Sequence, residues 1–147
     1  VFDPYVDAKE IEAHGVDVAD SLESLLEASD FVSLHMRISS DTHHMIDAEA
    51  LRRMKPTAYL VNTARADLVD EEALVDALRG HRIGGAAIDV YAEEPIGTDH
   101  PYLSLDNVTL VSHLAGTSAD TMQTSVEIGF EDLEAYLKGE ELINRRA

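Results

Sequence analysis

The chain has 147 residues, of which 45% are hydrophobic and 27% charged, the size and balance of one globular domain with a core of its own. Its 11 Lys and Arg stand against 29 Asp and Glu, a formal net charge of −18. The basic residues are scattered, so nucleic acid is not an expected partner. With no cysteine there is no disulfide framework. No apolar run approaches the length of a bilayer span, and the expectation is a soluble, cytoplasmic domain with no membrane partner.

Val1-Phe2-Asp3-Pro4 reads as the end of a strand and a turn, as though the chain were a piece of a longer protein. Residues 7–14 are helix-like, and Val16 and Val18 suggest a short strand. Leu22, Leu25 and Leu26 recur at helical spacing within residues 21–28. A strand follows at 31–34, then a loop over 37–42. Asp47 can cap a short helix that buries Leu51 and Met54 and stops before Pro56. Residues 59–61 form the next strand, and Asp70 caps a helix to Arg79 whose inward face is Leu74, Val75 and Leu78.

Strands are expected at 84–90 and 108–111, separated by a loop. The longest helix spans about 118–138, with Met122, Val126, Phe130, Leu133 and Leu137 on one stripe and Gly139 at its end. That stripe can pack on a sheet or serve as a dimer surface. Continuous apolar strands alternating with helices predict an α/β fold, a doubly wound parallel sheet with helices on both faces. Ligands gather at the carboxyl ends of such strands. Asp3, residues 35–42, 63–66, 89–94 and 112–116 each fall just after a strand.

Arg65 sits at one strand mouth, where its planar fork can take a carboxylate; a surface pair with Asp67 or Asp70 is the plainer alternative. Asp89 ends a buried strand, where a carboxylate needs a partner. Glu94 lies in the loop beyond it and reads equally as one more acid in an acidic loop. His113 follows a strand and precedes the long helix. Alone it reads as structural; with Glu94 in reach its imidazolium is stabilised and it can move a proton near neutral pH. Together they suggest an Arg that holds a 2-oxo acid, a His that protonates its carbonyl oxygen and a Glu that orients the His. No side chain supplies hydride, which implies a nicotinamide cofactor.

The run 60–69, Leu-Val-Asn-Thr-Ala-Arg-Ala-Asp-Leu-Val, resembles the signature of the D-isomer-specific 2-hydroxyacid dehydrogenases, phosphoglycerate dehydrogenase and its kin. Residues 86–91 with Glu94-Pro95 resemble the second motif of that family, and residues 113–116 its third. The resemblance implies a Rossmann-like fold and an NAD-dependent oxidoreductase that interconverts a D-2-hydroxy acid and its 2-oxo acid. Arg65 binds substrate, Glu94 partners the His, and His113 is the acid/base. It implies further that Asp3 holds the adenosine ribose and favours NAD over NADP. Met36, Arg37 and Thr42 line the adenine side; Thr63 and Ala64 approach the nicotinamide half with Arg65, and Asp89 meets the carboxamide. His113 and Gly116 complete the cofactor set, and the parent protein is a homodimer.

On that resemblance residues 1–147 are the C-terminal portion of the NAD-binding domain. The first Gly-rich unit and the substrate domain lie outside it, residues 118–147 lead toward the substrate domain, and the chain alone is not expected to turn over. Arg37 stands where the family often has Pro, Ala66-Asp67 where it has Gly-Gly, and Ser112 where it has Pro. Charge at Arg37 could also reach a 2′-phosphate. Gly84-Gly85 opens a strand, not a helix, so it reads as close backbone packing and not a phosphate cradle. A metal site from His35, His43, His44 and His113 is disfavoured because adjacent histidines cannot easily share one tetrahedral ion. The alternative function is an NAD-sensing interaction module without chemistry.

Overall fold

The computed structural model describes residues 1–142 and 144. Four short strands, β1 (Phe31–Leu34), β2 (Tyr59–Asn62), β3 (Gly85–Ile88) and β4 (Val108–Leu110), pair in parallel in the order β1-β2-β3-β4. Val32 lies opposite Leu60, Leu60 opposite Ala86, and Ala86 opposite Val108. The helices are α1 (Ala8–Ala13), α2 (Leu22–Ala28), α3 (Ala48–Arg53), α4 (Glu71–Arg79) and α5 (Ala119–Lys138). The chain divides into a first unit, Val1–Ser112, and a second that begins at His113.

Local chemistry sets the helix ends. Ser21 and Ser24 form a reciprocal capping box on α2. Asp47 accepts from the backbone N–H groups of Glu49 and Ala50, both at 2.9 Å, and Asp70 from Ala73 N–H at 3.1 Å. Ser118 caps α5, and Gly139 ends it in the left-handed conformation, φ 73°.

In the first unit one face of the sheet is covered. Leu26, Leu51, Met54, Leu74 and Leu78 from the helices pack with Val32, Leu34, Leu60, Ala86 and Ile88 from the strands. The expectation of strands buried on both faces holds for β3, where the successive residues Gly85 and Ala86 are both buried, and is corrected for β1 and β2. Burial alternates along β1 and β2, and Phe31 is 71% exposed, its ring stacked on Tyr59 at 5.6 Å. The reason is topological. The strand order steps in one direction, so crossovers of one hand carry α3 and α4 to the same face.

Four strand expectations are also corrected. No strand forms at residues 1–3 or 16–18. The Val1 ammonium donates to Asp17 O at 2.6 Å and Ala19 N–H donates to Val1 O at 2.7 Å, but these contacts do not extend into a ladder. β3 and β4 are shorter than expected, although Asp89 N–H still donates to Asn62 O and Val111 N–H to Ile88 O. Gly84-Gly85 is a packing feature, as expected. A Cβ at Gly85 would stand 2.6 Å from Asn107 O and 2.8 Å from the Tyr59 ring. The α5 stripe from Met122 to Leu137 is exposed; Ala135 is the buried residue of that helix.

Candidate functional site

The β2 exit is built around Asn62. This amide is 2% exposed, the end of an apolar strand inside the core. Its Nδ2 donates to Arg65 O at 2.8 Å and its Oδ1 accepts from Ala64 N–H at 3.1 Å. One buried side chain thus straps the whole turn over residues 63–65, leaving Thr63 and the Arg65 side chain exposed. Arg65 Nη1 donates to Ala64 O at 2.6 Å. It pairs with neither Asp67 nor Asp70: among the described residues no carboxylate lies within ion-pair reach of its guanidinium. The plainer surface-pair alternative therefore fails, and the fork stays available to a ligand anion.

At the β3 exit Asp89 is buried at 3% exposure. The loop beyond it closes on itself, because Tyr91 N–H donates to Glu94 Oε1 at 3.0 Å. The Tyr91 hydroxyl bridges two strand ends, donating toward Val111 O at 2.7 Å with Ile88 O at 3.1 Å. Burial is the main cause that pushes this hydroxyl above its usual range, so it stays protonated and a donor at neutral pH. Tyr91, Glu94, Leu103, Leu110 and Ser112 line a mostly apolar cavity of about 670 Å³. Glu94 therefore stands at the rim of a space large enough for a ligand group.

At the β1 exit Asp3, Met36 and Thr42 meet on a cavity of about 600 Å³. Asp3 Oδ1 accepts from Tyr5 N–H at 2.9 Å, which fixes the carboxylate in a local turn. Thr42 Oγ1 donates to Arg37 O at 2.8 Å and accepts from Ser39 N–H at 2.7 Å, closing the loop over 37–42. Arg37 lines a neighbouring cavity of about 420 Å³ together with His35, Met36, Ala64 and Arg65. The expected adenine-side group is thus divided: Asp3, Met36 and Thr42 share one cavity, while Arg37 joins Ala64 and Arg65 on the next.

His113 opens the second unit with a left-handed backbone, φ 57°. A non-glycine residue there costs of order 1–3 kcal/mol, and such positions cluster at functional sites. Gly116 follows in the same unit; a Cβ there would meet open space. His43 and His44 stack at 3.9 Å. Among the described residues no group of three or more His, Asp or Glu could hold a metal ion, and no helix is long and apolar enough to cross a membrane.

Two supporting residues escaped the sequence reading. Asn62 and Tyr91 both stood inside quoted motifs, and the signal for each was a polar group at the end of an apolar strand.

Residues 1–115 match the family model described as "D-isomer specific 2-hydroxyacid dehydrogenase, NAD binding domain". A glyoxylate reductase from Thermofilum pendens is 48% identical over 119 residues, covering 81% of this chain and 35% of that protein. A D-3-phosphoglycerate dehydrogenase from Methanocaldococcus jannaschii is 37% identical over 139 residues, covering 95% and 26% respectively. Among solved structures, D-lactate dehydrogenase with NAD+ from Lactobacillus jensenii superposes with a TM-score of 0.87 at 28% identity, over 99% of this chain and 47% of that one. The chain thus spans about a third of the length of the curated relatives it matches. Four parallel strands with their flanking helices, polar residues gathered at the strand exits and a family match over residues 1–115 agree: the chain belongs to the D-isomer-specific 2-hydroxyacid dehydrogenases, as NAD-binding domain sequence.

Proposed function

We propose that this domain serves an NAD-dependent oxidoreductase that interconverts a D-2-hydroxy acid and its 2-oxo acid in the full-length protein. The observation that carries the reading is the strapped, carboxylate-free Arg65 at a strand exit beside a cavity. A guanidinium left unpaired in a chain of net charge −18 is suited to an incoming carboxylate. Glyoxylate reductase and phosphoglycerate dehydrogenase among the relatives support an acid of this class.

Arg65 binds the substrate carboxylate and polarises the 2-oxo group. His113 delivers the proton to the carbonyl oxygen in reduction and takes it back in oxidation. Glu94 orients the imidazole and stabilises its cationic form. The nicotinamide, when bound, supplies or accepts the hydride. Asp3 fits such a cofactor: its turn-fixed carboxylate on a cavity suits the two hydroxyls of a ribose, and it would repel a 2′-phosphate, favouring NAD over NADP. Met36 and Thr42 line that cavity. Thr63, Ala64, Asp89, His113 and Gly116 serve the nicotinamide half. The full-length protein is cytoplasmic and a homodimer, and residues 118–147 lead toward its substrate domain.

The test is His113→Ala in the full-length protein. Turnover falls by at least two orders of magnitude while the Kd for NADH stays within about twofold. Equal loss of both makes His113 a structural residue.

A further inference from the structure

Glu94 sits in a loop whose middle is exposed and whose two ends meet. From Ala92 to Asp99 every residue is exposed except half-buried Ile96. Such a segment has little packing of its own to fix a side chain. The Glu94 carboxylate accepts from Tyr91 N–H at 3.0 Å, so its direction follows the position of Tyr91. At the far end of the loop stands His100. Its ring meets the Tyr91 ring edge to face, with centroids 6.3 Å apart and planes at 79°, a favoured arrangement for two aromatic rings. That contact closes the base of the loop.

His100 is itself held from several sides, and its side chain is only 15% exposed. His100 N–H donates to Gly97 O at 3.1 Å. Its Nδ1 accepts from Tyr102 N–H at 3.3 Å and caps the 3₁₀ turn Pro101–Ser104. The Tyr102 ring, buried in the core, lies 4.8 Å from the imidazole. With Nδ1 an acceptor, Nε2 carries the proton, and it faces Oε1 of Glu71, the first residue of α4, at 3.4 Å. One imidazole thus joins α4, the core and the start of the Glu94 loop. Asparagine could keep the acceptor for Tyr102 but has no ring, and phenylalanine could keep the ring but has no acceptor. We propose that His100 is a positioning residue for Glu94. It pins the base of the loop, holds Tyr91 there, and through Tyr91 sets the direction of the carboxylate. The inference rests on the reading of Glu94 as the partner of His113.

The experiment compares the full-length protein with His100→Asn, which keeps the cap on Tyr102 N–H and so the 3₁₀ turn, in two readouts. Hydrogen exchange across residues 91–99 becomes about tenfold faster in the variant. With NADH and the 2-oxo acid that wild type reduces fastest, kcat falls about tenfold, while KM and the Kd for NADH stay within about twofold. In a Glu94→Gln background His100→Asn costs no further turnover, because the residue acts through that carboxylate. His100→Phe, which keeps the ring, recovers most of the kcat. Unchanged exchange overturns the proposal. So does faster exchange with unchanged kcat, and so does an equal further loss in the Glu94→Gln background, which makes His100 a structural residue alone. Failure of the dehydrogenase reading shows separately, as a wild-type protein that reduces no 2-oxo acid; the exchange readout then still decides whether His100 holds the loop.

Discussion

Asn62 shows how a buried side chain can hold the turn that carries a candidate site residue. Its amide makes two hydrogen bonds to the turn that presents Arg65, inside a core where neither group has water to fall back on. Asn62→Ala removes both and leaves a buried backbone N–H and C=O short of partners. The expected outcome is a loss of about 2 kcal/mol in urea unfolding, together with a raised KM for the 2-oxo acid and an unchanged Kd for NADH. Full loss of stability with an unchanged KM makes Asn62 a core residue alone. The contrast with Arg65 explains what could be read from the sequence. An Arg just past an apolar strand stands out, whereas Glu94 alone reads as one more acid and His113 alone as structural, and it is the family resemblance that groups the three. An amide at the last strand position looks the same whether it faces solvent or folds back on its own turn. Arg37 was legible as a departure from the family pattern, but which cavity it lines depends on how the loop over 37–42 closes through Thr42.

Elements were legible where their ends are fixed by local chemistry. Asp47, Asp70, Ser118 and Gly139 marked helix ends that the structure keeps. Strands at 1–3 and 16–18 were not, because a strand exists only through a ladder and one pair of backbone contacts is not one. The stretch expected to be plain loop over 91–107 contains a 3₁₀ turn, Pro101–Ser104, anchored by Tyr102 in the core. His100 Nε2 stands 3.4 Å from Glu71 Oε1 beside it, and His100 Nδ1 accepts from Tyr102 N–H at 3.3 Å. Burial, with Glu71 and Tyr91 adding to it, pushes the Tyr102 hydroxyl well above the ordinary tyrosine range. The folded state therefore keeps a proton that the unfolded state releases, and stability falls as pH rises above about 10. Tyr102→Phe removes this dependence. Thermal unfolding between pH 9 and 11 should show a shallower alkaline decline than wild type, with near-equal stability at pH 7. Parallel declines would remove Tyr102 as the source.

At the scale of the whole molecule, the parallel layout was legible and the covering of the sheet was not. Apolar strands suggested two buried faces, and β3 has them, but in β1 and β2 the one-way strand order gathers α3 and α4 on one face and leaves Phe31 and Tyr59 exposed on the other. Order in space is set by long-range pairing that a run of Val, Ile and Leu does not encode. The proposed trio is spread along the chain in the same way: Arg65 and Glu94 belong to the first unit and His113 opens the second, and the matched part of the chain covers 35% of one relative's length and 26% of another's. The central claim concerns the full-length protein, and its most direct test is NADH oxidation by that protein against a panel of 2-oxo acids. The expected result is oxidation with at least one of them, lost on Arg65→Gln. Tight NADH binding with no oxidation across the panel would contradict the claim and make the protein an NAD-sensing interaction module.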